Sequence, residues 1–333
     1  MYVVRPAELA DSAQLVALGE RSGAGPGRAH RMPVGRAAIE AAIERSLASF
    51  AAQVDAPGDQ SYLLVLAHSG DAVIEGCASI SALAGSGCTY FAFRRDVLRQ
   101  VSVELQIAHE MRALTMSSDL SRHSHLGACY VGPGTGARPA ALLARARLML
   151  AAAAPQRFAA HFFASLPGAT LAGKQPFWNA VGSQFFDIPL TQLEAILGER
   201  RNHPAMVEMM PHYPLYVDLL APDAQAALGS ADDGASAVRR ALDAEGFHGG
   251  RYVGLLDGGA LLHAKRGQLR SFAPAARHLA GAGLGATAPH IVASTRAHRF
   301  RAVLDPGDAA GLCAASMGAL GVGSTDEVLS VEL

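Results

Sequence analysis

Apolar positions along this chain form short alternating runs and helical stripes in a definite order. Met1 to Arg5 predicts a short strand, and Asp11 stands as an N-cap before a helix over Ala13 to Arg21 with Leu15 and Leu18 on one face. Ser22 to Gly35, rich in Gly, Pro and Arg, predicts a loop. Ile39, Ile43, Leu47 and Phe50 then recur at helical spacing within Arg36 to Ala52. Tyr62 to Ala67 and Ala72 to Leu83 predict two strands joined at Ser69-Gly70-Asp71. Val97 to Met116 is extended chain without an evident partner. Leu126 to Val131 is a further strand, Pro139 to about Ala153 a helix with Pro139 as its first residue, and Phe158 to Ser165 the next strand. The order is β-α-α-β-β, an insert, then β-α-β.

Farther along, Phe177, Val181 and Phe185 fall on one helical face within Pro176 to Asp187, which predicts a core-filling helix. Glu208 to Leu220 is punctuated by prolines and cannot be one continuous helix, so His212, Tyr213 and Tyr216 lie on irregular chain. Ala235 to Glu245 is a helix closed by Gly246. Arg251 to Leu256, Ala260 to Lys265, His290 to Ala293 and Phe300 to Leu304 predict the strands of a smaller C-terminal unit. The expected division is residues 1–220 and 221–333.

Composition narrows the function. Across 333 residues, 50% are hydrophobic, 17% are charged and the formal net charge is −1, which leaves no electrostatic basis for a nucleic-acid partner. Cys77, Cys88, Cys129 and Cys313 form no Cys-x-x-Cys pair, so neither a zinc site nor a disulfide framework is expected. The longest apolar run, Ala140 to Ala154, is interrupted by Arg145 and Arg147 and predicts no membrane span. With no signal-peptide pattern at the start, a cytoplasmic enzyme fits best.

Candidate chemistry centres on Gly132-Pro133-Gly134-Thr135-Gly136-Ala137-Arg138, set between a strand and a helix N-terminus. Such a backbone presents several N–H groups to one point and suits a pyrophosphate. A Walker loop needs Gly-Lys-Ser/Thr where this chain has Gly136-Ala137-Arg138. A dinucleotide site needs a carboxylate after the next strand, and Arg157 to Ser165 has none. The remaining option is the acyl-coenzyme A cradle of GNAT acyltransferases, in which a splayed strand lends backbone groups to the pantetheine arm. The element order given above is also the GNAT order.

The motifs Val4-Arg5-Pro6 with Asp11, Pro176 to Asp187, Glu208 to Leu220, Glu245-Gly246-Phe247, Asp257-Gly258-Gly259 and Phe300-Arg301-Ala302-Val303 run through nearly the whole length. On them the chain resembles the arginine/ornithine N-succinyltransferases, and the alpha-type subunit more than the beta-type. The resemblance implies an α+β chain with a GNAT-type acyl-CoA N-acyltransferase fold and a smaller C-terminal α/β unit. It implies transfer from succinyl-CoA, a co-substrate and not a resident cofactor, to arginine or ornithine. It also implies a homo- or hetero-oligomer with a beta-type subunit.

The family's Thr-Ser-Leu-Pro is replaced by Arg28 to Pro33, and a strand glutamate falls in Phe163 to Gly168, where there is none. The Gly-Gln-Val-His-Pro motif, whose histidine is the proton donor, becomes Gly229-Ser230-Ala231-Asp232-Asp233. Asp232 therefore stands at the histidine's position, with His212 and Tyr216 as further catalytic candidates. Cys129, Val131, Gly134, Gly136, Ala137 and Arg138 are the expected coenzyme A contacts, and Asp233 and Glu208 are possible partners of a cationic substrate. The alternative functions are a non-catalytic or regulatory subunit of a hetero-oligomer, or an acyltransferase with a changed amine.

Overall fold

The computed structural model describes residues 1–21, 35–197, 204–273, 277–282, 288–307 and 311–333. The chain begins with β1 (Tyr2–Pro6), α1 (Ser12–Arg21), α2 (Arg36–Ala51), β2 (Ser61–His68) and β3 (Ile74–Ser81), in the order the apolar pattern predicts. Asp11 is not a simple cap of α1. It ends a separate turn, accepts from the Glu8 N–H at 2.8 Å, and takes both prongs of the Arg5 guanidinium at 2.7 and 2.9 Å.

The extended insert is a long antiparallel hairpin of β4 (Ala92–Ser102) and β5 (Ile107–Ser117), paired from Ala92↔Ser117 to Ser102↔Ile107. Then follow β6 (Ser124–Val131), α3 (Ala137–Ala153) and β7 (His161–Ser165). The helix starts two residues before the expected Pro139. A proline in the first turn costs nothing there, because first-turn N–H groups have no partner inside the helix.

The aromatic motif is two short helices, α4 (Pro176–Ala180) and α5 (Ser183–Phe186), and not one. The chain breaks at Gly182, where an added Cβ would lie 2.1 Å from the Trp178 ring. Phe177 and Trp178 are buried as a result, while Phe185 turns outward instead of sharing the face of Phe177 and Val181. The rest comprises α6 (Leu190–Leu197), α7 (Pro204–Met209), β8 (Leu215–Tyr216), α8 (Pro222–Ala227), α9 (Ser236–Glu245), β9 (His248–Val253), β10 (Ala260–Lys265), β11 (Arg277–Leu279), β12 (His290–Ser294), β13 (Ala302–Asp305), α10 (Ala314–Leu320) and β14 (Glu327–Glu332).

All strands join one sheet in the order β11-β14-β12-β13-β1-β2-β3-β6-β7-β10-β9-β4-β5-β8. Residue 220 is therefore not a boundary in the sheet: β9 and β10 lie between β7 and β4, and β13 pairs with β1. The later strands cover edges that the earlier ones would leave open. Apolar faces fix the layers. Leu142, Leu143 and Leu150 of α3 pack on Leu126, Phe162, Ala164 and Leu262. Leu15, Leu18, Ile39 and Ile43 of α1 and α2 pack on Leu63, Val65 and Cys77, the other face. Among the described residues, no helix is long and apolar enough to cross a membrane.

Three arginines are buried in this core. Arg145 on α3 binds Glu245 on α9, and Glu245 also accepts from the Ser271 hydroxyl at 2.6 Å. Arg157 donates to the carbonyls of Ser49 and Ala52, both at 2.7 Å, at the end of α2. Arg147 reaches the carbonyls of Gly127 and Ser79. The two arginines that interrupt the apolar run of α3 are thus internal ties between layers.

Candidate active site

The site begins where two strands part. β6 runs antiparallel to β3 along its whole length, from Ser81↔His125 to Gly76↔Val131. It runs parallel to β7 only at Ser124↔Phe162, His125↔Phe163 and Leu126↔Ala164. From Gly127 to Val131 the side of β6 toward β7 has no strand partner among the described residues, and a wedge opens toward the glycine turn. The β3–β6 register shifts between Ala78 and Ile80, and the nearby carbonyls of Ser79 and Gly127 are the ones that Arg147 supports from below.

The turn after β6 is anchored at its start, where the Gly132 N–H donates to Glu75 at 2.7 Å. Thr135 folds back through its hydroxyl onto the Gly132 carbonyl at 2.9 Å. Gly134 and Gly136 have φ of 88° and 92°, the left-handed region where a side chain strains the backbone. Among the described residues, the N–H groups of Gly134, Gly136, Ala137 and Arg138 donate to no protein acceptor. They stand at the positive end of α3, so the turn offers a concentrated set of donors to an anion. The exposed Arg138 makes no ion pair among the described residues.

Cys129 and Val131 contribute backbone to the wedge, while their side chains pack on the α3 core. Burial pushes the Cys129 thiol above its ordinary pKa, with Arg147 opposing, so a reactive thiolate is disfavoured. Cys129, Val131, Gly134, Gly136, Ala137 and Arg138 thus form one continuous surface along strand, turn and helix start.

The expected catalytic side chains are not on this strand–turn–helix surface. Tyr216 is in β8, paired with Ala113 of β5, six strands from β6 in the sheet order. His212, just before it, is exposed, as is Glu208. Asp232 lies at the β7 end of the wedge, where its N–H donates to the Pro167 carbonyl at 2.9 Å. One carboxylate oxygen accepts from the Gly234 N–H at 3.0 Å and the other from the Thr170 hydroxyl at 3.1 Å. The bond from Gly234 makes it the cap of a turn, and the other two tie that turn to the chain after β7. Thr170, Asp232 and Asp233 line a cavity of about 270 Å³. The altered loop 28–33 lies outside the described residues. A larger cavity of about 740 Å³ sits between Arg5, Phe50 and Arg299, on the β1–β13 side of the sheet.

One group at the wedge was not singled out from the sequence. His125, on the β6 face opposite α3, has Nε2 2.9 Å from the Ser165 hydroxyl. Its ring stacks on Phe163 at 4.4 Å between centroids and meets Tyr90 at 5.3 Å. The available signal is alternation: Ser124 and Leu126 point into the core, so His125 points away from it. His123 and His161 stack nearby on the same side at 5.1 Å. Burial, with the His161 and His263 charges adding to it, holds His123 below the ordinary imidazole pKa.

A parallel pair that splays into a glycine-rich turn and a helix N-terminus, inside a mixed sheet with helices on both faces, defines an acyl-CoA N-acyltransferase fold of the GNAT type. The chain belongs to the arginine N-succinyltransferase family: residues 2–271 match the family model described as Arginine N-succinyltransferase beta subunit. It is 34% identical over 332 residues to Arginine N-succinyltransferase subunit alpha of Pseudomonas aeruginosa, covering 97% of each chain. Arginine N-succinyltransferase of Yersinia pseudotuberculosis is 30% identical over 273 residues, covering 81% of this chain and 77% of the relative. The solved structure of arginine/ornithine succinyltransferase subunit AI from Pseudomonas aeruginosa superposes with a TM-score of 0.86 at 32% identity, covering 100% of this chain and 98% of that one.

Proposed function

We propose that this chain transfers the succinyl group of succinyl-CoA to the α-amine of arginine or ornithine. The observation that carries this reading is the parting of β6 from β7 directly above the glycine turn. In it, the turn and Arg138 hold the pyrophosphate while the unpaired side of β6 receives the pantetheine arm. The amine attacks the thioester carbon, backbone N–H groups of β6 stabilise the oxyanion, and collapse expels the thiolate. Asp232 and Asp233, lining the cavity at the end of β7, supply negative charge for a cationic acceptor. The relatives' names support the choice of acyl group and amine.

We also propose a cytoplasmic oligomer with a beta-type subunit. The β4–β5 hairpin supports assembly: Val97, Val101, Val103, Leu105 and Ile107 are all more than half exposed toward its tip.

The test is thiol release by the purified chain with succinyl-CoA, with and without arginine or ornithine, beside calorimetric binding of coenzyme A. Amine-dependent release is expected. Binding without turnover would show that catalysis needs a partner or another amine, and the absence of both would overturn the reading.

A further inference from the structure

We propose that His125 is the base of the transfer reaction, taking the proton of the attacking amine through the hydroxyl of Ser165. The proposal rests on the acyltransferase reading above and names the residues that move the proton.

Amide formation from an amine needs a proton acceptor that is uncharged near neutral pH, a role suited to imidazole. Of the three candidates named from the sequence, one is near the wedge but already engaged and two are remote in the sheet order. Both carboxylate oxygens of Asp232 already accept hydrogen bonds, one from the Gly234 N–H in its own turn and one from the Thr170 hydroxyl. His212 and Tyr216 belong to the segment around β8, six strands from β6.

His125 stands where the reaction would occur. It is the middle residue of the three that join β6 to β7, one position before the pairing ends. Ser165 is one position beyond Ala164, the last β7 residue in that pairing, so it borders the mouth of the wedge. The two side chains share the face opposite α3, and Nε2 lies 2.9 Å from Oγ. Phe163 stacks against the imidazole with only 10° between the planes, which fixes the ring's orientation. Ser165 is 6% exposed, so its hydroxyl is held in place and shielded from bulk water.

The step balances without a further reactant. The amine nitrogen bonds to the thioester carbon as one N–H proton passes to Ser165 Oγ and the hydroxyl proton passes to His125 Nε2. The tetrahedral oxyanion then collapses, the C–S bond breaks, and the imidazolium returns its proton through the same hydroxyl to the departing thiolate. The products are the amide and free coenzyme A, with both side chains restored.

The experiment compares wild type, His125→Gln and Ser165→Ala with two acceptors, arginine and hydroxylamine. Hydroxylamine is a far weaker base and is uncharged at neutral pH, so it needs little help in losing a proton. Each substitution is expected to lower kcat with arginine about 100-fold, with KM for succinyl-CoA within about two-fold of wild type, and to lower hydroxylamine turnover at least about ten-fold less than that, because only the return of the proton to the thiolate is then lost. Coenzyme A binding by calorimetry confirms that each variant is folded. Equal loss with both acceptors in a folded variant, or no loss with arginine, overturns the proposal. So does a succinyl adduct on Ser165 in quenched wild-type enzyme, which would make the serine a nucleophile. A wild-type chain that binds no coenzyme A and releases no thiol overturns the acyltransferase reading itself, and the proposal falls with it.

Discussion

Arg147, in the middle of α3, donates through Nη1 to the carbonyl of Gly127 in β6 at 3.3 Å. The same nitrogen lies 3.5 Å from the Ser79 carbonyl in β3, across the register shift. A buried guanidinium is costly to desolvate, and burial lowers the Arg147 pKa, with Cys129 opposing. Its presence here shows where the strand irregularity needs donors. Arg147→Met, which keeps bulk but removes them, should cost about 1–3 kcal/mol and weaken coenzyme A binding. Urea unfolding and calorimetry check the two parts separately, and unchanged affinity would disconnect α3 from the wedge.

Arg145 and Glu245 are 1% and 0% exposed and 2.9 Å apart. Glu245→Ala should cost about 3–5 kcal/mol, because it leaves a buried cation unpaired. The double variant Arg145→Met with Glu245→Met should lose much less. Urea midpoints of the two decide whether the pair is a net stabiliser or only a mutual requirement.

Gly136→Val should abolish coenzyme A binding while the chain stays folded. Space is not the obstacle, since an added Cβ would meet only Pro139 Cδ at 4.0 Å. The obstacle is φ of 92°, which a β-branched residue avoids by turning the donor N–H groups away. Calorimetry with coenzyme A, beside a circular dichroism spectrum, measures this.

Asp232→Ala should lose about 1 kcal/mol of stability through the missing cap, and Asp232→Asn should keep most of it. Because Asp232 is proposed to attract the cationic acceptor and not to move a proton, Asp232→Asn should raise KM for arginine while kcat in the thiol-release assay stays within about three-fold, well short of what removing an acid–base group costs. A hundred-fold fall for Asn would return Asp232 to the chemistry.

Acid should destabilise the fold below about pH 6.5 through the histidine face. Burial, followed by the His161 and His263 charges, lowers the His123 pKa, and burial, followed by His248 and Arg251, lowers that of His263. A histidine with a depressed folded pKa binds its proton first in the unfolded chain, so stability falls as pH drops through the ordinary value toward the folded one. His123→Gln should flatten the fall of Tm between pH 7 and pH 5, and an unchanged slope would place its cause elsewhere.

The sequence by itself determined the order of elements from β1 to β7 and the glycine turn at the end of β6. Both are local properties: alternation in the strands, helical stripes in α1 and α2, and glycines where the backbone must turn and leave its N–H groups open. The tertiary structure decided everything that depends on which distant strands pair. It placed β9 and β10 between β7 and β4, and so made one sheet of two expected units. It put Arg145, Arg147 and Arg157 inside, because their partners come from other elements and a sequence pattern carries no trace of them. It also brought the Thr170 hydroxyl to the Asp232 carboxylate and set Ser165 beside His125, 40 residues away along the chain. Residue type marks what a side chain is able to do, but only long-range pairing brings it within reach of another.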